Sequence, residues 1–431
     1  MSKTLGIRRE DKNIWERRVP VIPAHLGPLL ADGALQAVVQ PFPRRVFTDA
    51  EYVEVGAVLD EDLSGCDVVF AVKEIPAELF QPSRAYVFFA HVIKAQPYNM
   101  PMLRRLLELG CTLIDYEKIA DEQGRRLVFF SRQAGQAGMI DSLHLLGRRL
   151  ALEGLDTPFT AVEMAYAYPS LRHTREALRD VGARIVAGGL PPSLTPLVVG
   201  FAGYGNVSQG AQDIFAELPA ERVTPEALLA GELPKAALVW VEFSESDMVE
   251  RVDGGPFALQ EYYRRPEEYQ GRFARFLPHL HLLMNGIYWE EQYPRLVTNE
   301  DLARLWAPAE PPRLRVIGDV SCDLEGSIQC TVKTTMPDAP SYVFDPATGE
   351  IAMGIEGAGP VVMAVDNLPA ELARESSVLF SESLRPFVPA IVRAERSVPF
   401  ERFDVPDPVR RAVIAYNGEL TPDFTYLKDA I

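Results

Sequence analysis

The sequence predicts an α/β protein with two parallel-sheet units, on three observations. Short unbroken apolar runs, such as "VVFAV" at 68–72 and "YVFFA" at 86–90, have the pattern of strands buried on both faces. These runs alternate with helical segments, the arrangement that builds a parallel sheet through strand–helix–strand crossovers. A long apolar helix over 134–153 interrupts the rhythm, and a second alternation starts after it. A chain of 431 residues is also too long for one ordinary domain, and about two or three are expected.

Taken in order, "TLGIRRE" reads as the first strand and "PAHLGPLLADG" as a helix, with Pro23 suited to its first turn and Gly33 just past its end. "LQAVVQP", "CDVVFAVK" and "AYVFFAH" are strands, followed by the helix "YNMPMLRRLLELG" and the strand "CTLIDYE". After the long helix comes a second one, "LRHTREALRDVGARI". The strands "PLVVGFAG", "AALVWVEF", "HLHLLMNGIYW" and "RLRVIGDV" follow, with "WAPAEPPRLR" as a loop. Past Asp323, "SYVFDPATGEIAMGI" predicts a hairpin turning at 346–349, and "NLPAELARESSVLFSESLRPFVPAIV" predicts one long amphipathic helix.

Composition narrows the function classes. A net charge of −17 and a pI near 4.9 argue against nucleic acid or an anionic membrane as partner, so small molecules are expected. "MSKTLGIRRED" has no apolar targeting core and no run approaches the ~18 residues of a membrane span, so a cytoplasmic protein is expected. Cys66, Cys111, Cys322 and Cys330 show no CxxC spacing and read as reduced, mostly buried thiols. The pair His279 and His281 suits opposite faces of a strand, and no metal site is expected. The oligomeric state is not legible.

Three constellations carry chemistry. In open parallel sheets, ligands bind outside the carboxyl ends of the strands. Here "VVFAV" ends in Lys73 and Glu74, "YVFFA" ends in His91, and "CTLI" is followed by Asp115 and Glu117. If those strands are neighbours, an amine, an imidazole and two carboxylates share one crevice and can set an acid and a base near neutral pH. Taken singly, each reads first as an ordinary solvated residue at a strand end.

The second constellation is "LVVGFAGYGNVSQGAQDIF". A strand enters Gly203, Tyr204, Gly205, Asn206, Val207 and Ser208 just before a helix opens. That is the context a dinucleotide fingerprint requires, with Ser208 in place of the third glycine. The acid that reads the ribose is expected ~20 residues on. There the sequence offers Arg222 and Glu226 but no acid plainly ending a strand, which leans towards NADP(H) while leaving NAD(H) open. In the third, Arg8, Arg9, Arg17 and Arg18 cluster in "RREDKNIWERRVPVIP". They either grip a substrate carboxylate or pair with Glu10, Asp11 and Glu16.

The motifs "RREDKNIWERRVPVIP", "FFAHVIKAQPYNM", "LIDYEKI", "GYGNVSQGAQDIFAELP", "NGIYWEEQYPRLVT" and "VDNLPAEL" resemble, in order and over nearly the whole chain, the lysine–ketoglutarate reductase half of bifunctional aminoadipic semialdehyde synthases. More distantly they resemble lysine-forming saccharopine dehydrogenase, alanine dehydrogenase and transhydrogenase. The resemblance implies two Rossmann-like domains with a cleft between them. The substrate domain would comprise 1–133 plus 367–431, and the dinucleotide domain 134–366. It implies Lys73 and His91 as the acid–base pair, and Arg18 as the holder of a substrate carboxylate. Lys94 and Gln96 would contact substrate, and Glu74 and Glu117 would tune the pair. Arg126, the loop at 203–208, Asp319, Val320, Ser321 and Asn367 would contact cofactor.

The expected reaction is NADPH-dependent reductive condensation of L-lysine with 2-oxoglutarate to saccharopine. The alternatives are an alanine-dehydrogenase-like or other opine-forming enzyme, and a non-catalytic nucleotide-binding protein. Two departures stand out. The bifunctional enzymes continue into a second dehydrogenase domain, so this chain is expected to perform only the first reaction. The stretch "VEFSESDMV" has little likeness to its counterpart in the animal enzymes, which bears on the amine substrate more than on the chemistry.

Overall fold

The computed structural model describes residues 3–31 and 33–431. Met1 and Ser2 of the charged N-terminal stretch, and Asp32 at the end of the first expected helix, lie outside the described residues. The chain divides into two compact units, Met1–Phe130 with Ala373–Ile431, and Ser131–Leu372. The first break falls where the long helix begins, rather than inside its first turn at 134. The second follows the turn Leu368–Ala370 rather than preceding it at 367.

The first unit starts with six parallel strands: β1 (Lys3–Ile7), β2 (Leu35–Val39), β3 (Val58–Leu59), β4 (Val68–Phe70), β5 (Ala85–Phe88) and β6 (Thr112–Asp115). Among the helices between them are α1 (Pro23–Leu30), α2 (Asp49–Glu54) and α3 (Met100–Glu108). The spatial order is β3-β2-β1-β4-β5-β6. Leu5 pairs with Val68, Val68 with Ala85 and Ala85 with Thr112. The order reverses between β1 and β4, the switch point at which such sheets open a ligand crevice. Every residue of β4, β5 and β6 is buried, which accounts for the unbroken apolar runs.

The second unit opens with α4 (Ser131–Leu152) and α5 (Leu171–Gly188). Next come β7 (Leu197–Ala202), α6 (Asn206–Phe215), β8 (Ala220–Val223) and β9 (Leu238–Phe243). A ribbon of β10 (Val249–Arg251) and β11 (Tyr269–Gly271) precedes β12 (Leu282–Asn285) and β13 (Val316–Asp319). The expected hairpin forms β14 (Ser341–Phe344) and β15 (Ile351–Met353), and β16 (Val361–Met363) follows. The sheet order is β8-β9-β7-β12-β13-β16-β14-β15, with β14 alone running against the other strands. The chain then returns to the first unit. There β17 (Val413–Tyr416) pairs antiparallel with β6, and β18 (Glu419–Leu420) with β17.

Two sequence expectations are corrected. The long helix after Asn367 is instead a short turn, Leu368–Ala370, and two helices, Ala373–Leu384 and Val388–Arg393. The break surrounds Pro386, which has no amide hydrogen for the next helical bond. The histidine pair does not straddle one strand either. His279 ends the turn Phe273–His279, and buried His281 accepts the Val198 amide at 3.0 Å. Burial, with Arg313 and Arg315 nearby, holds the His281 ring down at about 3, so it stays a neutral core acceptor.

The contact that fixes the second unit is α4 against α6. It is too close for side chains: a Cβ on Gly135 would lie 1.8 Å from the Val207 carbonyl oxygen, and one on Gly210 would lie 2.1 Å from that of Arg132. Alanine normally stabilises a helix interior by about 1 kcal/mol relative to glycine. Here Gly135→Ala is expected to lower stability by about 1–3 kcal/mol, because the helices must separate. Urea unfolding checks the sign.

Candidate functional site

In the first unit the backbone delivers the expected residues to the carboxyl edge of the sheet. Ala71 still donates to Val87 O at 3.1 Å, and Phe89 to Val72 O at 3.1 Å. The amides of Val72 and Lys73 then turn to the Glu10 carboxylate, at 2.6 and 3.0 Å. Glu10 thus takes donors that a neighbouring strand would otherwise use, and Lys73 leaves the sheet at its edge. Burial, together with Glu16, raises the Glu10 carboxyl to about 7.

Glu74, which follows Lys73, reaches His91 because β4 and β5 are adjacent strands. Burial and the Arg18 guanidinium push the Lys73 amine below its ordinary value. Glu74 Oε1 meets His91 Nδ1 at 2.6 Å, and Glu74 Oε2 accepts from Lys12 Nζ at 2.8 Å. Burial would raise Glu74, but the hydrogen bonds from His91 and Lys12 outweigh it and hold the carboxyl down at about 2. An ionised carboxylate only accepts, so His91 Nδ1 carries a hydrogen and donates it. When the ring is neutral, its lone pair is therefore on Nε2.

His91 itself sits at φ 50°, a left-handed conformation uncommon for residues other than glycine. The loop is clasped by Asn99, whose Nδ2 donates to the carbonyls of Ala90 at 3.0 Å and His91 at 3.2 Å. Buried Asp115 at the end of β6 accepts the Ala90 and Glu117 amides, and burial raises its carboxyl to about 7. Glu10 and Asn99 were missed by the sequence reading. Their role is to hold backbone, and no motif marks a carboxylate that accepts amides 62 residues away.

The remaining expected residues disperse. Arg18 is buried and donates to Glu16 through Nε at 2.7 Å and Nη2 at 2.5 Å, with its guanidinium 4.3 Å from the Phe130 ring centre. This edge of the fork grips a protein carboxylate, which favours the internal-pairing alternative for the arginine cluster. Lys94 is exposed, whereas the buried Gln96 Oε1 has no hydrogen-bond partner among the described residues. Glu117 pairs with Arg126 instead of touching His91.

In the second unit β7 runs into Gly203 at φ 86°, whose amide donates to Phe243 O at 2.9 Å. α6 starts at Asn206 with no side chain capping it, so its first amides are available to an anion. Ser208 is buried at the closest approach to the sheet, where a Cβ on Gly286 would lie 3.1 Å from its amide. A cavity of about 370 Å³ opens beside Gly203, Tyr204, Gly205, Asn206 and Val207. Glycine turn, uncapped helix and cavity fit a dinucleotide.

Asp319 is buried and already accepts from Asn285 Nδ2 (2.8 Å), Ser321 Oγ (2.7 Å) and Thr331 Oγ1 (2.6 Å). It therefore organises the ends of β12 and β13. Val320 donates its amide to Asn285 O at 3.1 Å. Asn285 Oδ1 is a buried acceptor with no partner among the described residues. Asn367 opens the turn before Ala373 and accepts the Ala370 amide at 2.9 Å.

One premise is overturned. Arg222, the basis of the lean towards NADP(H), does not flank the glycine turn. β9 lies between its strand β8 and β7, and Arg222 pairs with Glu242 at 2.9 Å over the Trp240 ring. Among the described residues no three His, Cys, Asp or Glu side chains gather as a metal site, and no helix is long and apolar enough to cross a membrane.

A carboxyl held at about 2 in the fold, against 4.5 ordinarily, contributes stability that is complete above about pH 4.5 and lost as pH falls towards 2. Glu74→Gln is expected to flatten this part of the acid-unfolding curve, read by thermal melts across that range. Asn99→Ala strips two carbonyls of their donor and is expected to cost about 1–3 kcal/mol in urea unfolding.

Residues 6–137 match the family model "Alanine dehydrogenase/PNT, N-terminal domain". The alpha-aminoadipic semialdehyde synthase of Bos taurus is 38% identical over 98% of this chain and 47% of its own length. The Neurospora crassa saccharopine dehydrogenase [NAD(+), L-lysine-forming] is 28% identical over 89% of each. An L-alanine dehydrogenase structure shares the fold, with a TM-score of 0.64 and 18% identity over 99% of this chain and 100% of its own. The chain spans about half the length of the synthases it matches. The N-terminal part of the chain is thus similar to the alanine dehydrogenase/PNT N-terminal domain, and the chain as a whole to one half of the alpha-aminoadipic semialdehyde synthases and, more weakly, to saccharopine dehydrogenase.

Proposed function

We propose that this chain catalyses the reversible reductive condensation of L-lysine with 2-oxoglutarate to saccharopine, with a reduced nicotinamide dinucleotide as hydride donor. The observation that carries the reading is the His91–Glu74 hydrogen bond at 2.6 Å, one residue from the sequestered Lys73 amine. The names of the bovine and Neurospora relatives, one an aminoadipic semialdehyde synthase and the other a saccharopine dehydrogenase, support the substrate class.

Condensation of an amine with a ketone needs a base for the amine proton and an acid for the departing hydroxyl. His91 offers Nε2 for the first task, since Glu74 holds the other nitrogen as a donor. The Lys73 ammonium, destabilised by burial and by Arg18, gives up a proton more readily than an exposed lysine and suits the second. Gln96 Oε1 is an acceptor for a substrate amine or hydroxyl. The glycine turn and the start of α6 would hold the dinucleotide pyrophosphate. When bound there, a reduced nicotinamide dinucleotide would be the source of the hydride.

The test is an amine-by-keto-acid screen that follows loss of the reduced cofactor. Turnover with L-lysine plus 2-oxoglutarate is expected. Turnover with ammonia plus pyruvate instead would replace this reading by an alanine-dehydrogenase type, and cofactor binding without any turnover would make the chain a binding protein. His91→Gln and Lys73→Met are each expected to lower kcat ~100-fold or more. Activity within about twofold of the parent removes the acid–base assignment.

A further inference from the structure

The sheet order of the second unit decides which residue reads the cofactor ribose. In a dinucleotide fold that residue ends the strand flanking the glycine-turn strand on the side away from the nicotinamide half. Counting along the chain would make it the end of β8. The flanking strand is instead β9: Ala202 pairs with Phe243, and the Gly203 amide donates to Phe243 O at 2.9 Å. The residues that follow, Ser244 and Glu245, take the ribose-reading place. Glu245 lines the same 370 Å³ cavity as Gly203 and Gly205.

We propose that Glu245 makes this site selective for a dinucleotide whose adenosine ribose has a free 2′-hydroxyl, NAD(H), over one with a 2′-phosphate. Three further observations converge. Tyr263 and Tyr204 donate their hydroxyls to the same Glu245 oxygen, Oε1, at 2.8 and 3.4 Å, which fixes the carboxylate. Burial and Glu245 itself raise the Tyr263 hydroxyl, so it stays a donor. Among the described residues that line the cavity, none is a lysine or an arginine. A phosphomonoester carries about −1.5 to −2 charges and needs such a partner, while a ribose diol needs only an acceptor.

The stretch that departs from the animal enzymes, "VEFSESDMV", is therefore β9 and its exit into this cavity. On this proposal its divergence bears on the cofactor. Tyr262, Tyr263, Tyr288 and Tyr293 supply flat apolar surface in the same cavity, suited to an adenine ring.

The inference rests on the second unit being a nicotinamide-dinucleotide site, but not on the identity of the amine or keto acid. Calorimetric titration of the full chain with NADH and NADPH tests it, with ADP-ribose and its 2′-phosphate as probes that lack the nicotinamide. NADH and ADP-ribose are expected to bind about tenfold or more tighter than their phosphorylated counterparts, the effect of one charged hydrogen bond gained or lost. Glu245→Gln keeps the shape and is expected to narrow the gap by raising NADPH affinity. Glu245→Arg, with folding checked by circular dichroism, is expected to reverse it.

Equal or tighter NADPH binding by the parent chain overturns the proposal, as does an unchanged gap in Glu245→Gln. Failure to bind either dinucleotide overturns it together with the dinucleotide reading of the unit. Selective NADH binding with no turnover of lysine and 2-oxoglutarate supports it while sinking the proposed reaction.

Discussion

Buried charge is the constraint around which the first unit is built. Glu10, Glu16, Arg18 and Asp115 are each at most 2% exposed. An unpaired charge in such surroundings costs several kcal/mol, so each group is met within the protein or takes up a proton more readily. Arg18 and Glu16 meet one another. Glu10 and Asp115 are met by backbone amides, and this has a structural consequence. The Val72 and Lys73 amides are withdrawn from sheet pairing, so the bonds between β4 and β5 do not continue past Val72. The Ala90 amide, taken by Asp115, fixes the residue just before His91. Two carboxylates with no place in a catalytic motif thereby set where the lysine and the imidazole emerge.

Glu74 acts differently. It is partly accessible, it faces Lys12 and His91 through separate oxygens, and those two bonds outweigh its desolvation. A carboxylate that stays ionised dictates the histidine tautomer, and an imidazole with a dictated tautomer has one defined basic nitrogen. The left-handed backbone at His91, held by Asn99, aims that ring. Strain of this kind persists only where neighbouring bonds over-determine it.

Much of this was legible in the sequence. Runs such as "VVFAV" announce doubly buried strands because their side chains leave no polar face. Lys73 and His91 stand out as polar residues that end such runs. The glycine turn is legible for the same reason, since few sequences place Gly203 and Gly205 between a strand and a helix. What escaped was whatever depends on which strand neighbours which. β8 has no buried residue and sits at the sheet edge, and nothing local shows that β9 displaces it from beside β7. Arg222 accordingly carried the lean towards NADP(H). Pairings across long sequence gaps, such as Arg18 with Phe130 and Glu10 with Val72, are invisible for the same reason. The broken helix at Pro386 is the opposite case. Proline carries the signal plainly, and the amphipathic stripe on both sides masked it.

The return of the chain to its first sheet sets an order of events during synthesis. β6 lacks its outer neighbour until β17 has been made, and the whole second unit is translated in between. The second unit can close its sheet with its own residues and fold first, whereas the first waits with a fully buried strand, "TLID", as a raw edge. An unpaired edge of that kind is a template for pairing with other chains. Premature release of the chain before Val413 would therefore produce a sticky intermediate, with one half finished and the other seeking a strand to complete it.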